Sequence, residues 1–97
     1  MFNIEITESA KKDLRFLNKF EQKIILTAIA EKLTLEPATP IKNRKQLRPN
    51  ELSKWELRIE EYRVFYDIDP DAKIVKIKAA GWKEHNKLLI RGKEFKL

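Results

Sequence analysis

The sequence predicts an α+β fold: two N-terminal helices packed on one face of a small, largely antiparallel sheet. Three observations carry this expectation. The segments Trp55-Glu-Leu-Arg-Ile-Glu60 and Tyr62-Arg-Val-Phe-Tyr-Asp-Ile68 alternate apolar and charged residues, which is the period of a half-buried strand. Between about Ala10 and Leu35, apolar residues recur every three or four positions, the period of a helix packed along one stripe. Downstream, Ile74 to Ala80 alternates again behind Asp69-Pro70-Asp71, a composition suited to a turn between strands.

Taken in order, Phe2, Ile4 and Ile6 alternate with polar residues and give a short first strand. Thr7 caps the helix that follows, its hydroxyl accepting from a free amide of the first turn, and Glu8 favours the positive dipole end. Ala10, Leu14 and Leu17 form the inward stripe of that helix, flanked by Phe16 and Phe20. A second helix is expected from about Glu21 to about Leu35, facing inward through Ile25, Ala28, Ile29 and Leu33. Glu36-Pro37 ends it, because proline disfavours helical geometry in the residue before it. Residues 37–54 then form a long connection containing three prolines.

The two central strands fix their own register. With Glu60 and Glu61 as a two-residue turn, Ile59 faces Tyr62, Leu57 faces Val64 and Trp55 faces Tyr66. Every large apolar side chain then lies on one face, and burial of one face specifies register. The helices are expected to cover this face and leave the other open. Arg58 stands directly opposite Arg63 on that other face. Pairing Val75 with Tyr66 and Ile77 with Val64 would add Lys78 beside Arg63, and Lys76 beside Phe65. Like charges directly opposite one another destabilise a sheet, so a row of Arg58, Arg63 and Lys78 points to a bound anion. On the same reasoning, removing both arginines should leave stability no lower in the absence of that anion.

Composition narrows the classes. Ninety-seven residues are expected to form one domain, residues 1–97, with a core large enough to fold without staples. There is no cysteine, which excludes a disulfide framework, a thiol nucleophile and a Cys-based metal site. No signal peptide or membrane-spanning run is apparent, and the expected location is the cytoplasm. Residues 1–41 hold six basic and six acidic residues, so the whole net charge of +6 falls in residues 42–97. A basic surface on a small domain suits a polyanion or an acidic protein partner.

Two further segments extend this surface. Lys42-Asn-Arg-Lys-Gln-Leu-Arg48 carries Lys42, Arg44, Lys45 and Arg48 with no acid, a composition that grips phosphate backbones without reading sequence. In Gly81-Trp-Lys-Glu-His-Asn86, Gly81 permits a turn or close approach. Trp82 offers its ring either to the core or to a splayed RNA base, and Lys83 adds charge. His85 is the only histidine and the one side chain here with an ordinary pKa near neutral.

The succession of strand, two helices, basic linker and meander, with Trp55-Glu-Leu-Arg-Ile, Tyr62-Arg-Val-Phe-Tyr and a Gly-Trp-Lys-Glu-His tail, resembles the RelE/ParE superfamily of toxins from bacterial type II toxin–antitoxin systems. The resemblance covers nearly the whole chain. It implies the RelE-like fold, an antitoxin encoded alongside and a toxin–antitoxin hetero-oligomer. RelE-like members cleave messenger RNA in the ribosomal A site without a metal or other cofactor, whereas ParE-like members block DNA gyrase and need no catalytic residue. Arg58 and Arg63 match the basic strand residues of the RelE-like enzymes, and Lys83 falls where those enzymes often carry an arginine. Glu56 and Arg58 stand where one such pattern has two lysines, and Leu89 stands where it has a stacking tyrosine.

The function this implies is acid–base cleavage of RNA. Arg58, Arg63 and Lys83 would stabilise the crowded phosphorane, and Glu56 or His85 would carry the proton. Lys42, Arg44, Lys45, Arg48, Lys76, Lys78 and Trp82 would bind the RNA. A non-catalytic gyrase inhibitor, or a remnant that only binds its antitoxin, is the alternative.

Overall fold

The computed structural model describes residues 1–97. Strand β1 (Asn3–Ile6) leads into helices α1 (Glu8–Phe16) and α2 (Lys19–Leu33), and six strands follow: β2 (Arg44–Gln46), β3 (Trp55–Ile59), β4 (Tyr62–Asp69), β5 (Ile74–Glu84), β6 (Lys87–Ile90) and β7 (Lys93–Glu94). They form one sheet in the order β2-β3-β4-β5-β6-β7, antiparallel throughout, with β1 joined parallel to β5. This is the expected α+β arrangement. No helix is long and apolar enough to cross a membrane.

The helices begin where the caps direct. Thr7 Oγ1 accepts from the Ala10 amide at 3.1 Å. Asn18 and Glu21 form a reciprocal capping box that starts α2 at Lys19, two residues before the expected boundary; such a box satisfies two orphan amides at once. Ala10, Leu14 and Leu17 on the first stripe, and Ile25, Ile29 and Leu33 on the second, are buried against Leu57, Val64, Tyr66 and Ile77 of the sheet. Ala28 is only partly buried.

The β3–β4 hairpin has the register read from the alternation, with Arg58 opposite Arg63 and a turn at Glu60-Glu61. The register of β5 does not. Ile77 lies opposite Tyr66, Val75 opposite Ile68, Ala80 opposite Val64 and Gly81 opposite Arg63, with a bulge between Phe65 and Tyr66 that leaves Lys78 as the extra residue. The reason is a phase slip within β5 itself. Val75 and Ile77 share one parity and Ala80 and Trp82 the other, so a single inserted residue is needed to turn all four toward the helices. Lys78 therefore does not join the arginine row, and Lys76 stands beside Asp67 instead of Phe65.

The far face is not left open either. Phe65, Ala79 and Leu88 form a second buried cluster, roofed by Leu47 and Leu52 of the linker and by Ile90 and Phe95 of the C-terminal segment. Strand β6 supplies Leu88 and Ile90, and β7 leads into Phe95; the alternation announces neither strand. Their turns, His85-Asn86 and Arg91-Gly92, have positive φ at both central residues (51° and 66°, then 52° and 77°), the type I′ geometry that matches strand twist.

Strands β1 and β6 share one edge of β5, pairing with Ile74–Ile77 and Trp82–Glu84 respectively. In the gap between them the Ala80 amide donates to Asp13 Oδ2 of α1 at 3.1 Å. Arg91 Nε lies 2.9 Å from the other oxygen of the same buried carboxyl. Burial pushes the Asp13 pKa up, and the Ala80 amide and Arg91 oppose that shift.

Candidate functional site

Alternation along β3 and β4 puts Glu56, Arg58 and Arg63 on the face away from the helices, at the turn end of the hairpin. Arg63 is nearly buried, its side chain 8 % exposed, and Nη1 donates to the Glu60 carbonyl at 2.7 Å and the Tyr62 carbonyl at 2.9 Å. It thus staples the Glu60-Glu61 turn. Glu56 Oε1 sits 3.8 Å from both Arg63 Nε and Arg58 Nε, with only 6 % of its side chain exposed. The anion that the opposed arginines call for is therefore, in the first instance, the protein's own carboxylate. Burial is the main cause that lowers the Arg63 pKa, with the Arg58 charge adding to it and Glu56 opposing. Truncating Arg63 would strip the turn of its staple and strand Glu56, which overturns the expectation that both arginines can be removed without loss of stability.

Arg58 is different, with 48 % of its side chain exposed. It opens onto a cleft of about 370 Å³ at the β3 edge, lined among others by Lys32, Lys42, Asn43, Glu60 and Arg63. The linker is joined there, because the Arg58 amide donates to the Asn43 carbonyl at 2.8 Å. Four cations and one acid surround this cleft. Lys42 thus meets the arginine pair as the basic linker suggested. Lys32 was missed; an exposed lysine on a helix carries no signal until the linker folds back beside it.

The remaining residues separate. Lys83 is exposed, and its amide donates to the Glu61 carbonyl at 2.7 Å, so it flanks the same turn. His85 is exposed at the tip of the β5–β6 hairpin, two residues or about 7 Å further along that strand. Lys45 and Arg48 are exposed on the linker.

Four assignments change. Arg44 is buried, and its Nη1 donates to the Lys32 and Glu36 carbonyls at 2.7 and 2.6 Å, satisfying the C-terminal end of α2. Trp82 lies on the helix side, stacked on Phe16 with ring centroids 6.0 Å apart, and does not share a face with Arg58. Lys76 and Lys78 sit toward the other end of the sheet, around a hollow shared with Glu5, Asp67 and Asp69. Arg44→Ala should accordingly cost about 1–2 kcal/mol in chemical denaturation, since it removes two hydrogen bonds to part-buried carbonyls and the packing of a buried side chain; an unchanged midpoint would return Arg44 to the exposed basic surface.

Comparison with known proteins agrees with this architecture. The mycobacterial toxin–antitoxin complex RelBE2 from Mycobacterium tuberculosis contains a chain of similar fold, with a TM-score of 0.73 and 23% identity over 84% of this chain and 98% of that one. The isolated Escherichia coli RelE toxin gives 0.69 and 18% over 88% and 87%. The YoeB–YefM complex from Staphylococcus aureus gives 0.56 and 23% over 87% and 99%. No curated protein matches in sequence. Residues 4–80 match the family described as the ParE toxin of the type II toxin–antitoxin system parDE. That match spans most of the sequence, and the chain belongs to this family of type II toxins within the RelE/ParE superfamily.

Proposed function

We propose that this toxin is a ribosome-dependent endoribonuclease that cleaves messenger RNA without metal or cofactor, and that an antitoxin made beside it holds it in a hetero-oligomer. The observation that carries the reading is the cationic cleft at the β3 edge, where Lys42 and Arg58 stand exposed around a nucleotide-sized space while Arg63 and Glu56 hold the wall rigid. Preorganised cations of this kind stabilise the charge that develops on a phosphorane, each worth about 3 kcal/mol.

In the reaction the 2′-hydroxyl gives up its proton to a base and its oxygen bonds to phosphorus. The bond to O5′ breaks, leaving a 2′,3′-cyclic phosphate and a 5′-hydroxyl that takes up a proton. Arg58 and Lys83 neutralise the phosphate, and Arg63 positions Arg58 and Glu56. His85 or Glu56 carries the proton; His85 is the more accessible of the two. Cytoplasmic action follows from this target. The family match also favours a second reading, since ParE-type toxins named for the parDE system are the superfamily branch that blocks gyrase.

Single-turnover cleavage on programmed ribosomes tests the assignment. His85→Gln should slow cleavage by roughly 10²-fold while ribosome binding persists, because shape is kept and the proton carrier is lost; Glu56→Gln should slow it at least as much, since it also takes the counter-ion from Arg63 and Arg58. Lys42→Ala should instead weaken RNA binding and lower its salt dependence by about one ion. If both Gln variants cleave at the parental rate, neither is the proton carrier. Intact messenger RNA together with inhibited gyrase would replace the nuclease reading by the gyrase one.

A further inference from the structure

A second hollow lies at the seam between β5 and the C-terminal segment, and it shares no lining residue with the cleft at the β3 edge. Its volume is about 620 Å³, within the range of about 300–1,000 Å³ that holds small ligands. Lys78, Arg91 and Lys93 line it against one acid, Glu94. Leu52, Ile90 and Phe95 give it an apolar wall, and their packing on the buried Phe65, Ala79 and Leu88 holds that wall in place. Two of the cations are set by the fold. The bulge makes Lys78 the extra residue of its strand, and a bulge re-aims a side chain. Lys78 is half-buried and enters none of the chain's ion pairs, although Asp67 borders the hollow on its other side. Arg91 is anchored through Nε to the Asp13 carboxylate, whose side chain is 1 % exposed and is itself held by the Ala80 amide. The turn that carries Arg91 is seated as well, since Gly92 lies so close to Phe16 that a Cβ there would come within 3.2 Å of the ring. An arginine fixed at Nε offers its two Nη groups as a pre-organised fork for an anion.

We propose that this hollow binds a nucleotide, its phosphate held by Lys78, Arg91 and Lys93 and its base laid against Phe95, Ile90 and Leu52. Inorganic phosphate would use the cations and leave the apolar wall in water. A wholly apolar ligand would cover the wall and desolvate three cations against one acid, which is costly. A ligand that joins a phosphate to a flat body satisfies both sides, and Glu94 accepts from its hydroxyl or amino groups. A free mononucleotide and the terminal nucleotide of an RNA strand offer this same chemistry. The site goes beyond the proposed cleavage centre. Lys78 stands three residues, about 10 Å, along β5 from Gly81, the residue opposite Arg63.

NMR titration of the full-length protein with adenosine 5′-monophosphate tests the proposal, with inorganic phosphate and adenosine as its two separate halves. Amide shifts should move at Ser9, Lys78, Ala79 and residues 90–95, and the nucleotide should bind roughly tenfold or more tightly than either half. Lys78→Gln and Lys93→Gln should each weaken it by roughly tenfold, the scale of one charge-assisted hydrogen bond, without moving the unfolding midpoint. Asp13→Asn should weaken it too, although Asp13 does not line the hollow, because Arg91 then loses its anchor; should that variant unfold, the two lysine variants decide. A 5′-phosphorylated trinucleotide that binds more tightly than the mononucleotide supports the site and gives it to a strand end, whereas equal affinity supports it as a site for free nucleotide. Shifts confined to the Arg58 cleft overturn the proposal. So do parental affinity in Lys78→Gln and equal affinity for phosphate and nucleotide. Because the shifts are read residue by residue and no cleavage is measured, the outcome stands whether or not the toxin proves to be a nuclease.

Discussion

Gly81→Ala is expected to unpair β6 from β5 and lower stability by about 3 kcal/mol, the upper range for forcing atoms into a packed site. Gly81 lies opposite Arg63 on one side and against β6 on the other. A methyl group there would collide with the Leu89 carbonyl oxygen and come within 3.0 Å of Ile90 Cγ1. A side chain could swing aside, but the Leu89 carbonyl belongs to the strand backbone and can move only with the strand. The consequence reaches the proposed site, because Lys83 and His85 ride on the same hairpin. Chemical denaturation should show the lowered midpoint, and hydrogen exchange should show the loss concentrated in residues 82–90. A variant as stable as the parent would mean that β6 is held elsewhere than at this contact.

Arg63→Ala is expected to cost about 3 kcal/mol, and Arg58→Ala less than about 1 kcal/mol, although the two residues face each other across one hairpin. The difference lies in burial and bonding. Arg63 makes two hydrogen bonds to turn carbonyls and lies beside the buried Glu56 carboxylate. Removing one partner of such an arrangement leaves the other charge unpaired inside the protein, a penalty of about 3–5 kcal/mol when complete. Arg58 is half exposed, and exposed ion pairs contribute about 0–1 kcal/mol. Cleavage should fall for both variants, but only Arg63→Ala should also lower the unfolding midpoint. Glu56→Gln in the Arg63→Ala background should recover part of the loss, since the stranded charge is then gone. Equal stabilities for the two single variants would show that Arg63 is no staple and that the arginines are interchangeable.

The parts of the fold written in contiguous residues were legible in the sequence. The β3–β4 register followed from alternation on both strands, and Thr7 announced the start of α1 by its chemistry. The β5 register is written in the opposite parity of Val75 and Ile77 against Ala80 and Trp82, which an unbroken alternation across Lys78 conceals. Strands β6 and β7 are too short for any period to appear, and only the His85-Asn86 and Arg91-Gly92 turns betray them. The site was less legible. That Glu56 would serve as counter-ion to both arginines depends on their side chains turning inward. That Arg44 would leave the basic linker to satisfy the end of α2 depends on a contact twelve residues back along the chain. Charge can be counted from sequence, but whether a cation faces water or a carbonyl is decided by packing.

The sharing of one β5 edge by β1 and β6 also sets an order of assembly. Thr7 Oγ1 donates to the Ile77 carbonyl across a separation of 70 residues, so the first strand has no partner until almost the entire chain exists. At synthesis rates of roughly 5–20 residues per second, the N-terminal segment waits about 4–14 s on the ribosome with only its helices able to form. Closing so long a loop makes folding slower than local contacts alone would allow. The sheet therefore cannot close around β5 until the last quarter of the chain emerges.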